Sequence, residues 1–224
     1  MKRITNAVFA TGVCLTLLLP LPAVGDQGSP AVYTLNAQLL AGARAGDADG
    51  VRRVIEQGAS INARNRGGNT ALLLFAQEGN LEMVAYLLDR GGAVDLANLE
   101  KVTPLMAAAH GGYADIVGLL IERGASLDAQ DQVFKTAMVY AAAAGNDDVV
   151  GLLLEAGVDV NQRYRHQLTA LMWAAGYGEV DAVRVLLGSG ADPDLRDDRG
   201  KTALDIGQDA GYDDVTDLLE AAAP

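Results

Sequence analysis

The sequence predicts an all-α solenoid in which one helix–turn–helix unit, with a projecting β-turn or hairpin loop, is stacked about six times. Three observations predict it. Gly46, Gly79, Gly112, Gly145, Gly178 and Gly211 stand 33 residues apart. Thr70, Thr103, Thr136, Thr169 and Thr202 keep the same interval, followed two places on by Leu72, Leu105, Met138, Leu171 and Leu204. A second glycine series, Gly58, Gly91, Gly124, Gly157 and Gly190, repeats it again. A period of about 20–50 residues marks stacked units rather than one globular core.

Each column has a physical reason. The threonine hydroxyl caps the first helix of a unit, and proline is tolerated next to it at Pro104. The leucine then faces the core. Ala76, Ala109, Ala142 and Ala175 follow one helical turn on, where a larger side chain would hold off the neighbouring unit. The series beginning at Gly46 supplies a residue free to take positive φ, so that the chain reverses into a second helix. That helix carries Leu87-Leu88, Leu153-Leu154 and Leu186-Leu187. The series beginning at Gly58 ends it as a left-handed cap, and Asn62, Asp95, Asp128, Asn161 and Asp194 suit the turn that follows.

With these columns in place, the chain resembles the ankyrin repeat family. The best copies of the family signature are TPLMAAAHGGYADIVGLLIERGASLDA at 103–129 and TALMWAAGYGEVDAVRVLLGSGADPDL at 169–195. The resemblance covers about 190 residues and divides 32–224 into units at about 32–64, 65–97, 98–130, 131–163, 164–196 and 197–224. The histidine usual after TPL in that family is replaced by Leu73, Met106, Val139, Met172 and Asp205. The end units depart as solvent-facing caps should: Ala37 stands where threonine is expected, and Asp205, Gly207, Gln208 and Ala223 replace core or glycine columns.

Ahead of the units, Met1-Lys2-Arg3 precedes an apolar run from Ala7 to Leu19 and a small-residue site at Ala23-Val24-Gly25, which reads as a cleaved signal peptide over 1–25 with a short linker at 26–31. An uncleaved anchor is the alternative. The cysteine in the chain, Cys14, lies inside this segment, so the expected mature chain is an exported protein without disulfides. The short signal and cysteine-free units resemble small exported bacterial ankyrin proteins, which implies a periplasmic or secreted location.

From residue 26 onward, 29 acidic residues face 15 basic ones, a net charge of −14 that argues against nucleic acid as a partner. The projecting loops reverse this sign. Residues 64–69, 97–102, 130–135, 163–168 and 196–201 carry nine lysines and arginines against four carboxylates, a basic ridge on an acidic body. Such a layout steers an acidic partner to one edge; ordinary solvation of loops is the competing explanation.

The middle loops also lack the usual glycine and show Lys101-Val102, Val133-Phe134-Lys135 and Arg163-Tyr164-Arg165-His166-Gln167-Leu168. Aromatic and arginine side chains are preferred anchors of protein interfaces. The candidate contacts are therefore Lys101, Val102, Val133, Phe134, Lys135, Arg163, Tyr164, Arg165, His166 and Leu168, joined by His110 and Tyr177 on the groove side of the first helices. The alternative is that Phe134 and Leu168 fold back onto neighbouring loops. Tyr140 and Trp173 share one column and read as packing.

Catalytic chemistry has little to build on. His110 and His166 fall in different units and cannot complete a zinc shell, and no phosphate loop, dinucleotide fingerprint or nucleophile elbow is present. The sequence thus implies no cofactor and a monomeric, non-catalytic scaffold that binds a protein with an acidic patch, without stable membrane insertion after cleavage. Resemblance to exported ankyrin proteins associated with periplasmic catalase implies an envelope enzyme as one form of client. The alternative is an immunity or inhibitor protein that blocks an exported toxic enzyme, in which the acidic groove would carry the contact.

Overall fold

A computed structural model describes residues 30–222. The expected signal peptide with Cys14, the linker up to residue 29, and Ala223 lie outside the described residues.

Twelve α-helices and no strand are found among the described residues. They form six antiparallel pairs: α1 (Pro30–Arg44) with α2 (Ala48–Glu56), α3 (Ala71–Glu78) with α4 (Leu81–Asp89), α5 (Pro104–Gly111) with α6 (Ala114–Glu122), α7 (Ala137–Ala143) with α8 (Asp147–Glu155), α9 (Ala170–Tyr177) with α10 (Val180–Gly188), and α11 (Ala203–Ala210) with α12 (Asp213–Ala222). The first helices α1, α3, α5, α7, α9 and α11 pack neighbour to neighbour in one layer, and α4, α6, α8, α10 and α12 in a second. None of them is long and apolar enough to cross a membrane.

The helices start and stop where the columns require. Oγ1 of Thr70, Thr103, Thr136, Thr169 and Thr202 accepts the backbone N–H three residues on at 3.2–3.4 Å, satisfying a donor that the helix leaves orphaned. Four of these five helices end on a residue next to a left-handed glycine, as at Gly79 (φ 78°), while α7 ends at Ala143, with Ala144 between it and the left-handed Gly145. Between the layers, Ala76, Ala109, Ala142 and Ala175 are fully buried with Leu72, Leu105, Met138 and Leu171. The core is therefore a continuous sheet of contacts running the length of the array.

Two local expectations change. Ala37 is not a cap position, because α1 runs back to Pro30, where Thr34 Oγ1 donates to the Pro30 carbonyl. The turn residues Asn62, Asp95 and Asn161 do not serve their own turns alone. Their side-chain oxygens accept the N–H of Ala93, Ser126 and Asp192 in the next unit at 2.8–3.0 Å, so this column stitches neighbours together.

Candidate interaction edge

The projecting loops end in five-residue tips at 65–69, 98–102, 131–135, 164–168 and 197–201. In each, the first residue's N–H donates to the fifth carbonyl and its carbonyl accepts the fourth N–H, a hairpin closure without strands. Four tips begin with Asn65, Asn98, Asp131 or Asp197, whose Oδ1 also accepts the third and fifth N–H groups at 2.8–3.0 Å. An Asx side chain mimics a backbone turn in this way. The 164–168 tip begins with Tyr164 and has no such acceptor, and its backbone is left-handed at two successive residues, His166 (φ 60°) and Gln167 (φ 59°).

The fourth tip position is left-handed in every unit, with φ of 80° at Gly68, 62° at Lys101, 67° at Phe134, 59° at Gln167 and 79° at Gly200. Glycine takes this conformation freely, whereas other residues are strained by about 1–2 kcal/mol. The three middle tips thus carry side chains where the fold alone favours glycine. Those side chains reach outward: Phe134 is 52 % exposed, its chain neighbour Val133 53 %, and Leu99 on the preceding tip 62 %.

Adjacent tips are tied by backbone bonds from Leu99 N–H to the Gly67 carbonyl (2.9 Å), Gln132 N–H to Glu100 (3.0 Å) and Asp198 N–H to His166 (3.0 Å). Among the described residues the equivalent bond from Arg165 N–H to the Val133 carbonyl is missing. A cleft of about 220 Å³ opens at that gap, walled by Phe134, Lys135, Tyr164, Arg165, Leu168 and Trp173. The Arg165 guanidinium stands 5.3 Å from the centre of the Phe134 ring, and Lys135 Nζ lies 4.8 Å from that of Trp173 and 5.5 Å from that of Tyr140. Trp173 Nε1 is buried in this wall without an acceptor.

From the cleft an aromatic strip continues over the first helices. Trp173 stacks on Tyr177 at 6.1 Å, and Tyr140 meets the His110 ring edgewise at 5.6 Å. Tyr140 donates to Asp131 Oδ2 at 2.6 Å, and burial, followed by this carboxylate, pushes its hydroxyl pKa well above the ordinary range. Lys135 therefore joins the tip residues to the His110 and Tyr177 side, which the sequence treated as separate places.

Several candidate contacts point elsewhere. Tyr164 is buried, and burial pushes its hydroxyl pKa up to about 12; it lines the cleft and is not an exposed anchor. Val102 and Leu168 sit one residue before the buried capping threonines and pack half-buried against the core, so they too leave the contact surface. For Leu168 the fold-back alternative holds, while Phe134 stays out. Arg163 is exposed but braces the loops, donating to the Arg196 carbonyl at 3.2 Å and to Gln167 at 3.3 Å. His166 Nδ1 lies 2.8 Å from Asp198 and links two tips.

Of the other tip cations, Arg64 and Arg196 bond loop carbonyls, and Arg199 and Lys201 pair with Asp197 and Asp209. The basic ridge is thus spent partly on its own loops, which leaves Arg66, Lys101, Lys135 and Arg165 as the loop cations with neither an ion pair nor a side-chain hydrogen bond among the described residues. Leu99 was missed. Its signal was present, since it stands in a column otherwise filled by Arg66, Gln132, Arg165 and Asp198. No group of three or more His, Cys, Asp or Glu side chains among the described residues is arranged to hold a metal ion.

A family model described as ankyrin repeats in three copies matches residues 39–131, 92–164 and 138–223. A comparison with curated proteins finds no match.

Proposed function

The chain belongs to the ankyrin repeat family, and from that premise we propose that it is a protein-binding scaffold whose contact edge runs from the tips at 98–102 and 131–135 to the Trp173 cleft. Ankyrin repeats are protein–protein interaction modules and typically non-catalytic. The observation that carries the reading is the set of non-glycine residues at the left-handed tip position of the three middle units, which hold Lys101, Phe134 and Gln167 outward against the backbone's preference. Arg165 and Lys135 next to Phe134 give this edge its sign, so the partner presents an acidic patch with apolar side chains at its centre. An acceptor group of the partner entering the cleft would relieve the orphaned Trp173 Nε1.

The setting is the periplasm, reached through the expected signal peptide at 1–25, and an envelope enzyme such as a catalase is the client that the resemblance to exported ankyrin proteins implies. The inhibitor reading draws on the acidic body instead, where charge reversal at the tips would leave the contact intact.

The test is affinity capture from periplasmic extract with the 26–224 chain, beside the same bait carrying Phe134→Ala, Lys135→Glu and Arg165→Glu. A partner retained only by the unaltered bait supports the edge and identifies the client. Equal recovery by both baits rejects it.

A further inference from the structure

The outer face of the second-helix layer carries a different surface. A shallow groove of about 1070 Å³ runs across α6 and α8 from their first turns to their last. Its floor is Gly118, Leu119, Gly151 and Leu152. The two glycines stand mid-helix at the same place in adjacent units, in a column that has Arg52 and Arg184 further out along the array. A glycine inside a helix weakens it relative to alanine. Packing does not require either one, because a Cβ at Gly118 or Gly151 would meet nothing within 4 Å. Their effect is to hollow the surface over two units.

Both ends of the groove are acidic. Asp115, Asp147 and Asp148 lie in the first turns, and Glu122 and Glu155 at the last residues of α6 and α8. The first three suit the positive end of a helix, but the two glutamates stand at the negative end, where a carboxylate is disfavoured. None of the five has an ion pair among the described residues, although their neighbours Glu82, Asp89 and Asp181 pair with Arg52, Arg123 and Arg184. An apolar floor between two rows of unpaired carboxylates calls for a ligand of the complementary pattern.

We propose that this groove docks an α-helix of a partner protein, apolar along one face and carrying lysine or arginine toward both ends of that face. A helix fits better than an extended segment, because the floor is itself helical and offers no free backbone edge. Nine residues of α6 or α8 extend about 13 Å, so the occupant contributes about three turns. The site shares no residue with the tip edge and stands or falls independently of it.

The experiment uses the 26–224 chain, which holds every described helix and the whole core from Leu39 to Leu219. The probe is a fluorescein-labelled 14-residue leucine–lysine peptide with its leucines on one helical face, followed by anisotropy. The control is a scrambled peptide of the same composition. The expected result is saturable binding of the ordered probe, at least tenfold weaker binding to a Gly118→Leu, Gly151→Leu variant, and unchanged binding to a Phe134→Ala, Arg165→Glu variant. The leucine pair keeps the charge and favours the helices, so loss of binding with an intact circular dichroism spectrum reports a filled groove. Equal binding by the filled variant or by the scrambled peptide overturns the proposal, as attraction to any acidic surface would then suffice. Self-association abolished by the leucine pair would reassign the groove to a second copy, and refusal of the probe by the 1–224 chain alone would reassign it to the first 25 residues. Either result overturns the partner helix.

Discussion

Lys101 and Phe134 show how a single backbone angle separates stability from use. Both hold positive φ at a tip position that glycine fills in the outer units, and the strain is of order 1 kcal/mol. Lys101→Gly is therefore expected to raise unfolding stability by up to about 1 kcal/mol in urea titrations, less a few tenths for the freer unfolded chain. Phe134→Gly should behave alike in stability but lose the captured partner. A lower stability for both variants would mean that these side chains are held for packing and not for display. The absence of glycine from the middle tips was legible in the sequence, and so was Phe134 as an outward residue. The inward turn of Tyr164 was not. It replaces the Asx residue that organises the other tips, and only the folded register shows the ring buried.

At the scale of the element, the glycine and threonine columns were readable because each answers to local backbone demands. The stitching between units was hidden, since it depends on which residue of one pair lies over which of the next. Gly178 and Gly211 separate the two kinds of cause. Both end a first helix at φ of about 78–79°, but a Cβ on Gly178 would come 2.6 Å from the Tyr212 ring, whereas one on Gly211 would meet nothing within 4 Å. Gly211→Ala should cost about 1–2 kcal/mol from the backbone alone, and Gly178→Ala measurably more, by chemical denaturation of the two variants. Equal losses would show that Tyr212 yields without penalty.

The final pair also carries its own acid sensitivity. Burial alone would raise the Asp197 carboxyl, but bonds from Lys201 and Arg199 hold it below the ordinary range; bonds from Thr202 do the same for Asp205, burial again opposing. A carboxylate whose pKa is lowered by folding contributes stability above its unfolded value, about 3.9, and loses that contribution as pH falls through the folded value. The amides of α11 and α12 should therefore lose hydrogen-exchange protection before those of α5 and α7 as pH drops below about 4. Asp205→Asn should weaken the pair at neutral pH and flatten that dependence. Simultaneous loss throughout the array would assign acid unfolding to general charge instead.

Over the whole molecule, charge acts against folding and in favour of recognition. The chain from residue 26 carries −14, and its ion pairs lie at the surface, mostly between exposed partners such as Arg123 and Asp89 or Arg184 and Asp181. Pairs of this kind are worth about 0–1 kcal/mol each, while a large net charge of one sign opposes the compact state. Screening should therefore remove more repulsion than attraction. Raising NaCl from about 50 to 500 mM, which shortens the Debye length from roughly 14 to 4 Å, is expected to raise the melting temperature of the 26–224 chain. The same change should weaken capture at the cationic tip edge and binding of the cationic probe at the acidic groove, because both contacts draw on opposite charges facing one another. Thermal melts and anisotropy titrations in matched buffers check the two trends together. A melting temperature that falls with salt would place the surface ion pairs above the repulsion, and the acidic body would then have to be explained as a source of stability and not as a recognition surface.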